Sequence, residues 1–190
     1  MAFYSPDELH SIGFRSVGAG VKISTRAVIY NPANIVIGDR SRIDDFCLLS
    51  SGTGGIEIGR NVHIACFTSL IGSALIKIDD YAGLSGRVSV YSSSDDYSGA
   101  FMTNPTLPTS FTNVRSQPIY IGKHAIIGAG AIVLPGVTIG DGVAIAALSL
   151  VLSDCLPFTS YRGNPALAFQ KRRMDLIRLA SDYEKTIDQV

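Results

Sequence analysis

Large aliphatic residues recur along the chain at every sixth position. From 121 to 151 they are Ile121, Ile127, Val133, Ile139, Ile145 and Val151. The same beat runs upstream through Ile37, Ile43 and Leu49, then Ile58, Ile64 and Leu70, then Ile78, Leu84 and Val90, with Val17, Ile23 and Ile29 opening it more loosely. A period of six fits neither the 3.6-residue helical repeat nor simple strand alternation. The glycines and Pro135 that punctuate 121–151 also argue against a membrane span, which needs about 20 apolar residues and no regular interruption. The pattern is that of a repeat architecture.

Three short strands joined by tight corners make one triangular coil of eighteen residues. Stacked at about 4.8 Å per layer, such coils bring each aliphatic over its counterpart. The step from Ile37 to Ile58 is twenty-one residues and from Ile58 to Ile78 twenty. The extra residues fall in SSGTGG (50–55) and SALIK (73–77), where Gly and Ser suit a bulged corner. Gly, Ala or Asp often follows the aliphatic, as at Gly38, Asp44, Gly59, Ala65, Gly122, Gly128 and Ala146. A small or β-branched residue stands two places before it, as at Ser41, Val62, Ala82, Ala125 and Val143. The aliphatics are predicted to be core, each contributing about 1.5–3 kcal/mol on burial. No coil buries its own face, so stability comes from stacking.

Both ends depart from the beat. Ser5-Pro6-Asp7-Glu8 reads as a capping box with Pro in the first turn, predicting a short helix to Ile12, closed by Gly13, over the first coil. At the other end a loop through Arg162 to Pro165 is expected. A helix should follow, with Met174, Ile177, Ala180, Tyr183 and Ile187 on one face, packing on a neighbouring subunit. The chain thus divides into a capping segment (1–16), a repeat domain (17–155) and a C-terminal loop and helix (156–190). One interruption lies inside the repeats: the beat stops after Val90 and resumes at Ile121. An excursion as long as 92–117 is usually functional or disordered. Tyr97, Phe101, Met102, Leu107 and Phe111 argue against disorder.

Charge and cysteine content narrow the classes. Sixteen basic and sixteen acidic residues balance, so no nucleic-acid partner is expected. The N-terminal stretch has no hydrophobic signal region, which predicts a cytoplasmic protein without a membrane partner. Cys47, Cys66 and Cys155 are an odd set without metal-ligand spacing, and read as packing or surface thiols.

The hexad phrases, above all IGKHAIIGAGAIVLPGVTIGDGVAIAALSLV at 121–151, resemble the hexapeptide-repeat acyltransferases, in the branch of nucleotide-linked amino-sugar N-acyltransferases and sugar O-acetyltransferases. The resemblance implies an all-β fold, a left-handed parallel β-helix, assembled as a homotrimer. It implies acetyl-CoA or another acyl-CoA as cosubstrate in the groove between subunits, and a role in surface polysaccharide biosynthesis. Small residues line that groove in the family, and the matching positions are Ala129 and Ala147. Gly163-Asn164-Pro165-Ala166 matches the family's G-x-P-A phrase, and Arg162, Lys171 and Arg172 are then candidates for the coenzyme phosphates.

In the O-acetylating branch the long loop carries a catalytic histidine. Here it reads Ser93-Ser94-Asp95-Asp96 instead. Transfer to a hydroxyl needs a base tuned near neutrality, whereas an amine is nucleophilic as its free base and attracts a carboxylate. Asp95 and Asp96 are therefore the candidate catalytic residues for an amine acceptor, with Ser93, Ser94 and Tyr97 as substrate-binding candidates. His63 and His124 point outward by register, and either is a candidate base in place of the loop carboxylates. No metal is expected. The γ-class carbonic anhydrases share the β-helix but use three zinc-binding histidines, and His10, His63 and His124 lack the close pair. Two other readings stay open at this level: sugar O-acetylation with a histidine base, and a non-catalytic assembly module.

Overall fold

The computed structural model describes residues 2–187; Met1 and 188–190, the end of the C-terminal segment, lie outside the described residues. The chain winds as a left-handed parallel β-helix with three faces. The first face stacks Ser16–Val17, Ile35–Ile37, Ile56–Ile58, Ile76–Ile78, Ile119–Ile121 and Thr138–Ile139. The second stacks Lys22–Ile23, Arg42–Ile43, His63–Ile64, Gly83–Leu84, Ile126–Ile127, Ala144–Ile145 and Thr159–Arg162. The third stacks Val28–Tyr30, Leu48–Ser51, Ser69–Gly72, Ser89–Tyr91, Ile132–Val133 and Leu150–Val151.

The register is the one the hexads predict. Ile37, Ile58, Ile78, Ile121 and Ile139 are successive ladder partners. So are Ile43, Ile64, Leu84, Ile127 and Ile145, and Leu49, Leu70, Val90, Val133 and Val151. None of these side chains is more than 3% exposed. Ile78 pairs directly with Ile121, so the excursion leaves the column and re-enters it without skipping a layer.

The corners explain the residues after each aliphatic. A Cβ on Gly38 would lie 2.6 Å from the Gly59 carbonyl carbon, and one on Gly128 would lie 2.4 Å from the Ala147 nitrogen. Side chains are excluded where one coil's backbone crosses the next so closely. Beside these glycines, aspartates tie neighbouring coils. Asp39, Asp80 and Asp141 accept the amides of Ala19 (2.8 Å), Arg60 (2.7 Å) and Lys123 (2.9 Å), each in the coil before.

The N-terminal helix α1 spans Pro6–Ile12, with the Ser5–Glu8 capping box formed and Gly13 left-handed at its end. Ahead of it, Phe3 bridges Ser24 in antiparallel fashion and the Tyr4 amide donates to the Ile23 carbonyl at 3.0 Å. The C-terminal region differs from the expected loop. Thr159–Arg162 is a strand that adds to the second face beside Ala144–Ile145, and Leu167–Lys171 folds back on it antiparallel. Only 163–166 turn. The hexads miss this strand because Tyr161, the partner of Ile145, stands sixteen residues on rather than eighteen. Tyr161 is buried and its hydroxyl accepts the Leu156 amide at 2.8 Å.

Helix α2 spans Asp175–Ile187 and buries none of its residues. It touches its own β-helix through Glu184, which accepts from the Tyr81 hydroxyl and from Arg60 at 3.3 Å. The Tyr183 ring also meets Tyr81 edge-on. Met174 and Ile177 stay exposed. No helix among the described residues is long and apolar enough to cross a membrane.

Candidate active site

Two clefts open on different corners of the triangle. The larger, about 480 Å³, lies where the third face turns into the first, under the base of the long loop. The loop is anchored by Ser92, whose buried hydroxyl donates to the Ala74 carbonyl at 2.6 Å and whose own carbonyl accepts the Gln117 amide at 3.0 Å. Ser93–Ser94 then pair antiparallel with Arg115–Ser116. Asp95 stands where the chain leaves that pairing.

The two aspartates divide sharply. Asp96 accepts from the Ser98 amide (2.7 Å), the Ser98 hydroxyl and Asn113 Nδ2 (2.8 Å). The Ser98 and Asn113 hydrogen bonds hold its carboxyl below the ordinary value. It builds the loop's turn. The Asp95 carboxylate takes no hydrogen bond and no ion pair among the described residues, and it lines the cleft with Ser94, Asp96, Tyr97, Gln117, Leu134 and Leu152. The Ser94 hydroxyl donates to the Asp95 carbonyl at 3.2 Å. Tyr97 is 92% exposed. Ser93 is taken up in the hairpin and does not line the cleft.

The smaller cleft, about 250 Å³, lies where the second face turns into the third, lined by His63, Ala65, Gly83, Leu84, Ser85, Gly86 and Ile126. His63 Nε2 is 2.9 Å from Asp44 Oδ2, and Arg42 Nε donates to the same carboxylate at 2.6 Å. Burial pushes the Asp44 carboxyl up, but the His63 and Arg42 hydrogen bonds outweigh it and hold the group below 3.8. The Asp44 carboxylate thus fixes the orientation of the imidazole through Nε2 and leaves Nδ1 without a partner among the described residues. Asp44 and Ser85 escaped the sequence reading. The available signal was register: Arg42 and His63 are ladder partners, which places Asp44 within reach of the imidazole one coil away.

The same corner carries Ala129 and Ala147. The Gly130 amide donates to the Gly86 carbonyl (3.1 Å) and the Leu148 amide to the Ala129 carbonyl (2.9 Å), so Gly86, Ala129 and Ala147 lie one above another. These three thus form an edge of small residues running from the His63 cleft toward the C-terminal hairpin, with the Leu148 side chain exposed beside it. At the hairpin, the Arg162 guanidinium sits 4.6 Å over the Phe169 ring and makes no hydrogen bond among the described residues. Lys171 Nζ donates to Thr159 Oγ1 at 3.1 Å. Arg172 donates to the carbonyls of Gly142 (2.8 Å) and Val143 (3.2 Å).

His124 lines neither cleft. It stacks on Tyr81 at 4.9 Å with the rings 4° from parallel, and burial lowers its pKa below 6.5. The unfolded chain therefore binds that proton more readily than the folded one. Stability is full above 6.5, falls as the pH drops through that value, and stops falling below the folded pKa. His124→Gln is expected to flatten the decline in melting temperature between about pH 7 and 5, checked by thermal melts across that range; an unchanged slope would contradict it.

Cys47 and Cys155 are buried, with thiols pushed up to about 11 by burial, unsuited to nucleophilic attack. Among the described residues no three His, Cys, Asp or Glu side chains cluster as metal ligands would.

Residues 118–153 match the family model described as bacterial transferase hexapeptide (six repeats). The chain is 48% identical over 184 residues to the dTDP-4-amino-4,6-dideoxy-D-glucose acyltransferase of Escherichia coli, covering 97% of this chain and 96% of that one. Its fold is similar to the crystal structure of an aspartate-to-asparagine variant of AntD, an N-acyltransferase from Bacillus cereus, in complex with dTDP and coenzyme A. That likeness has a TM-score of 0.93 at 41% identity, over 98% of this chain and 100% of that one. A maltose O-acetyltransferase from Clostridium difficile is similar at a TM-score of 0.59 and 25% identity, over 88% and 74% of the two chains. The stacked hexads, the small-residue edge and these likenesses agree: the chain is an acyltransferase belonging to the hexapeptide-repeat family.

Proposed function

We propose that the protein transfers an acetyl group from acetyl-CoA to the amine of a nucleotide-linked amino sugar, as a cytoplasmic homotrimer serving surface polysaccharide biosynthesis. The observation that carries the chemistry is the Asp95 carboxylate, without a hydrogen-bond or ion-pair partner among the described residues, in a cleft at the base of the long loop. The substrate class is supported by the relatives, whose names specify a dTDP-linked amino sugar and dTDP with coenzyme A.

Asp95 holds the acceptor's ammonium by a charge-assisted hydrogen bond and accepts a proton from it. The freed lone pair attacks the thioester carbonyl carbon. The C–N bond forms, the carbonyl electrons move to oxygen, and the tetrahedral intermediate collapses with cleavage of the C–S bond. The thiolate leaves and takes up the second nitrogen proton. In this reading a backbone N–H of the small-residue edge donates to the developing oxyanion. The coenzyme lies along Ala129 and Ala147, with Arg162 free to meet its phosphates.

Trimer formation is supported by the separation of the clefts. No residue lines both, and the coenzyme edge and Asp95 lie on different corners. A second copy brings one chain's loop to the other's edge. Phe101, Met102 and Phe111 are exposed on that loop, as suits a buried contact between subunits.

The oriented His63–Asp44 pair favours a second reading, acetylation of a hydroxyl with His63 as base. Release of coenzyme A thiol, followed with a dTDP-linked 4-amino sugar and with a hydroxyl-only analogue, separates the two. Turnover is expected with the amine; turnover confined to the hydroxyl acceptor would overturn the N-acyl reading.

A further inference from the structure

We infer that Arg115 holds the diphosphate of the nucleotide-linked substrate, in the same cleft where Asp95 holds its amine. The inference deepens the proposed function and rests on it. Arg115 is the one cationic side chain among the residues lining the 480 Å³ cleft. Its position is fixed by the hairpin at the loop's base, where it pairs with Ser94, the residue before Asp95. Arg115 is thus set by a rung of one small ladder, and Asp95 by the residue that leaves it, rather than by a free loop tip.

The Arg115 side chain is held by no direct bond among the described residues, although its charge adds to the Ser98 and Asn113 hydrogen bonds in keeping the Asp96 carboxyl below its ordinary value. Among the described residues its guanidinium makes no hydrogen bond and no ion pair within 4.0 Å, although Asp96 lines the same cleft. Asp96 spends its oxygens on Ser98 and Asn113 instead. Arg60, Arg172 and Arg173 are each tied to carboxylates or carbonyls and Arg162 stacks on Phe169, and none of them lines this cleft. A planar fork of donors left open in a concave site matches the paired oxygens of a diphosphate. The cleft volume lies within the range of small-molecule sites, about 300–1,000 Å³. An amino sugar linked to a nucleoside diphosphate carries a cation at one end and anions further along. One carboxylate and one guanidinium lining the same cleft present the complementary pair, and the exposed Tyr97 ring adds a surface for the base.

The test uses the full chain, wild type and Arg115→Gln, titrated calorimetrically with dTDP and separately with coenzyme A. Wild type is expected to bind both. Arg115→Gln should weaken dTDP at least tenfold and leave coenzyme A within twofold, and the wild-type affinity for dTDP should fall as salt rises. Unchanged dTDP affinity in Arg115→Gln beside firm wild-type binding would overturn the inference alone. Wild type that binds coenzyme A but ignores dTDP at millimolar concentration would overturn the nucleotide-sugar reading and the inference with it. Equal losses for both ligands would mark a folding defect. Arg115→Lys, which keeps the charge but loses the fork, must then weaken dTDP selectively for the inference to stand, and equal losses there would overturn it.

Discussion

Asp95→Asn is expected to lower turnover with the amino-sugar acceptor at least tenfold, about 1.4 kcal/mol in the activation barrier, with coenzyme A binding intact. The amide keeps the shape of the carboxylate but neither attracts an ammonium nor accepts its proton. Asp96→Asn should do less. Its Oδ1 still accepts from Ser98, so the turn survives, and only the partner of Asn113 changes. Steady-state thiol release under saturating acetyl-CoA measures both variants, with a coenzyme A titration as the control for folding. Wild-type turnover by Asp95→Asn would remove the carboxylate from the chemistry and move attention to His63, where His63→Ala would become the decisive variant.

Ile64→Ala carries the largest expected effect on stability, a loss of about 2–5 kcal/mol. Ile64 is fully buried and pairs with Ile43 on one side and Leu84 on the other. The stacked backbones above and below fix the spacing of the column, so the cavity has little freedom to collapse. Urea denaturation followed by circular dichroism gives the number. A loss under about 0.5 kcal/mol would mean that the column does not hold the coils together.

The hexad beat made the fold legible because one physical constraint, burial of one side chain per strand, repeats in every coil. From Ile37 to Val151 each coil keeps three buried aliphatics six residues apart, whatever the corners between coils add, and the register comes with it. The two helices were legible from the Ser5–Glu8 capping box and from a 3.6-residue apolar face. The C-terminal hairpin was not legible, because Tyr161 reaches its ladder place through a shortened corner. The site was legible where chemistry replaced the beat: Ser93 to Tyr97 stood out as polar residues in an interruption. The difference between Asp95 and Asp96 was not, since it depends on Ser98 and on Asn113, seventeen residues on from Asp96. Asp44 was hidden for a related reason. It occupies a corner place that Gly38 and Ala65 occupy elsewhere, and its role as partner to His63 arises only when successive coils are stacked.

The antiparallel segments at the two ends of the second face have a further consequence. A stack of parallel coils would otherwise finish in open strand edges, each a template for another chain. Here Phe3 runs against the first strand and Leu167–Lys171 against the last, so an incoming coil meets a neighbour of the wrong polarity. Deleting either segment should therefore leave the protein prone to end-to-end fibre growth, read by light scattering, even with every hexad in place.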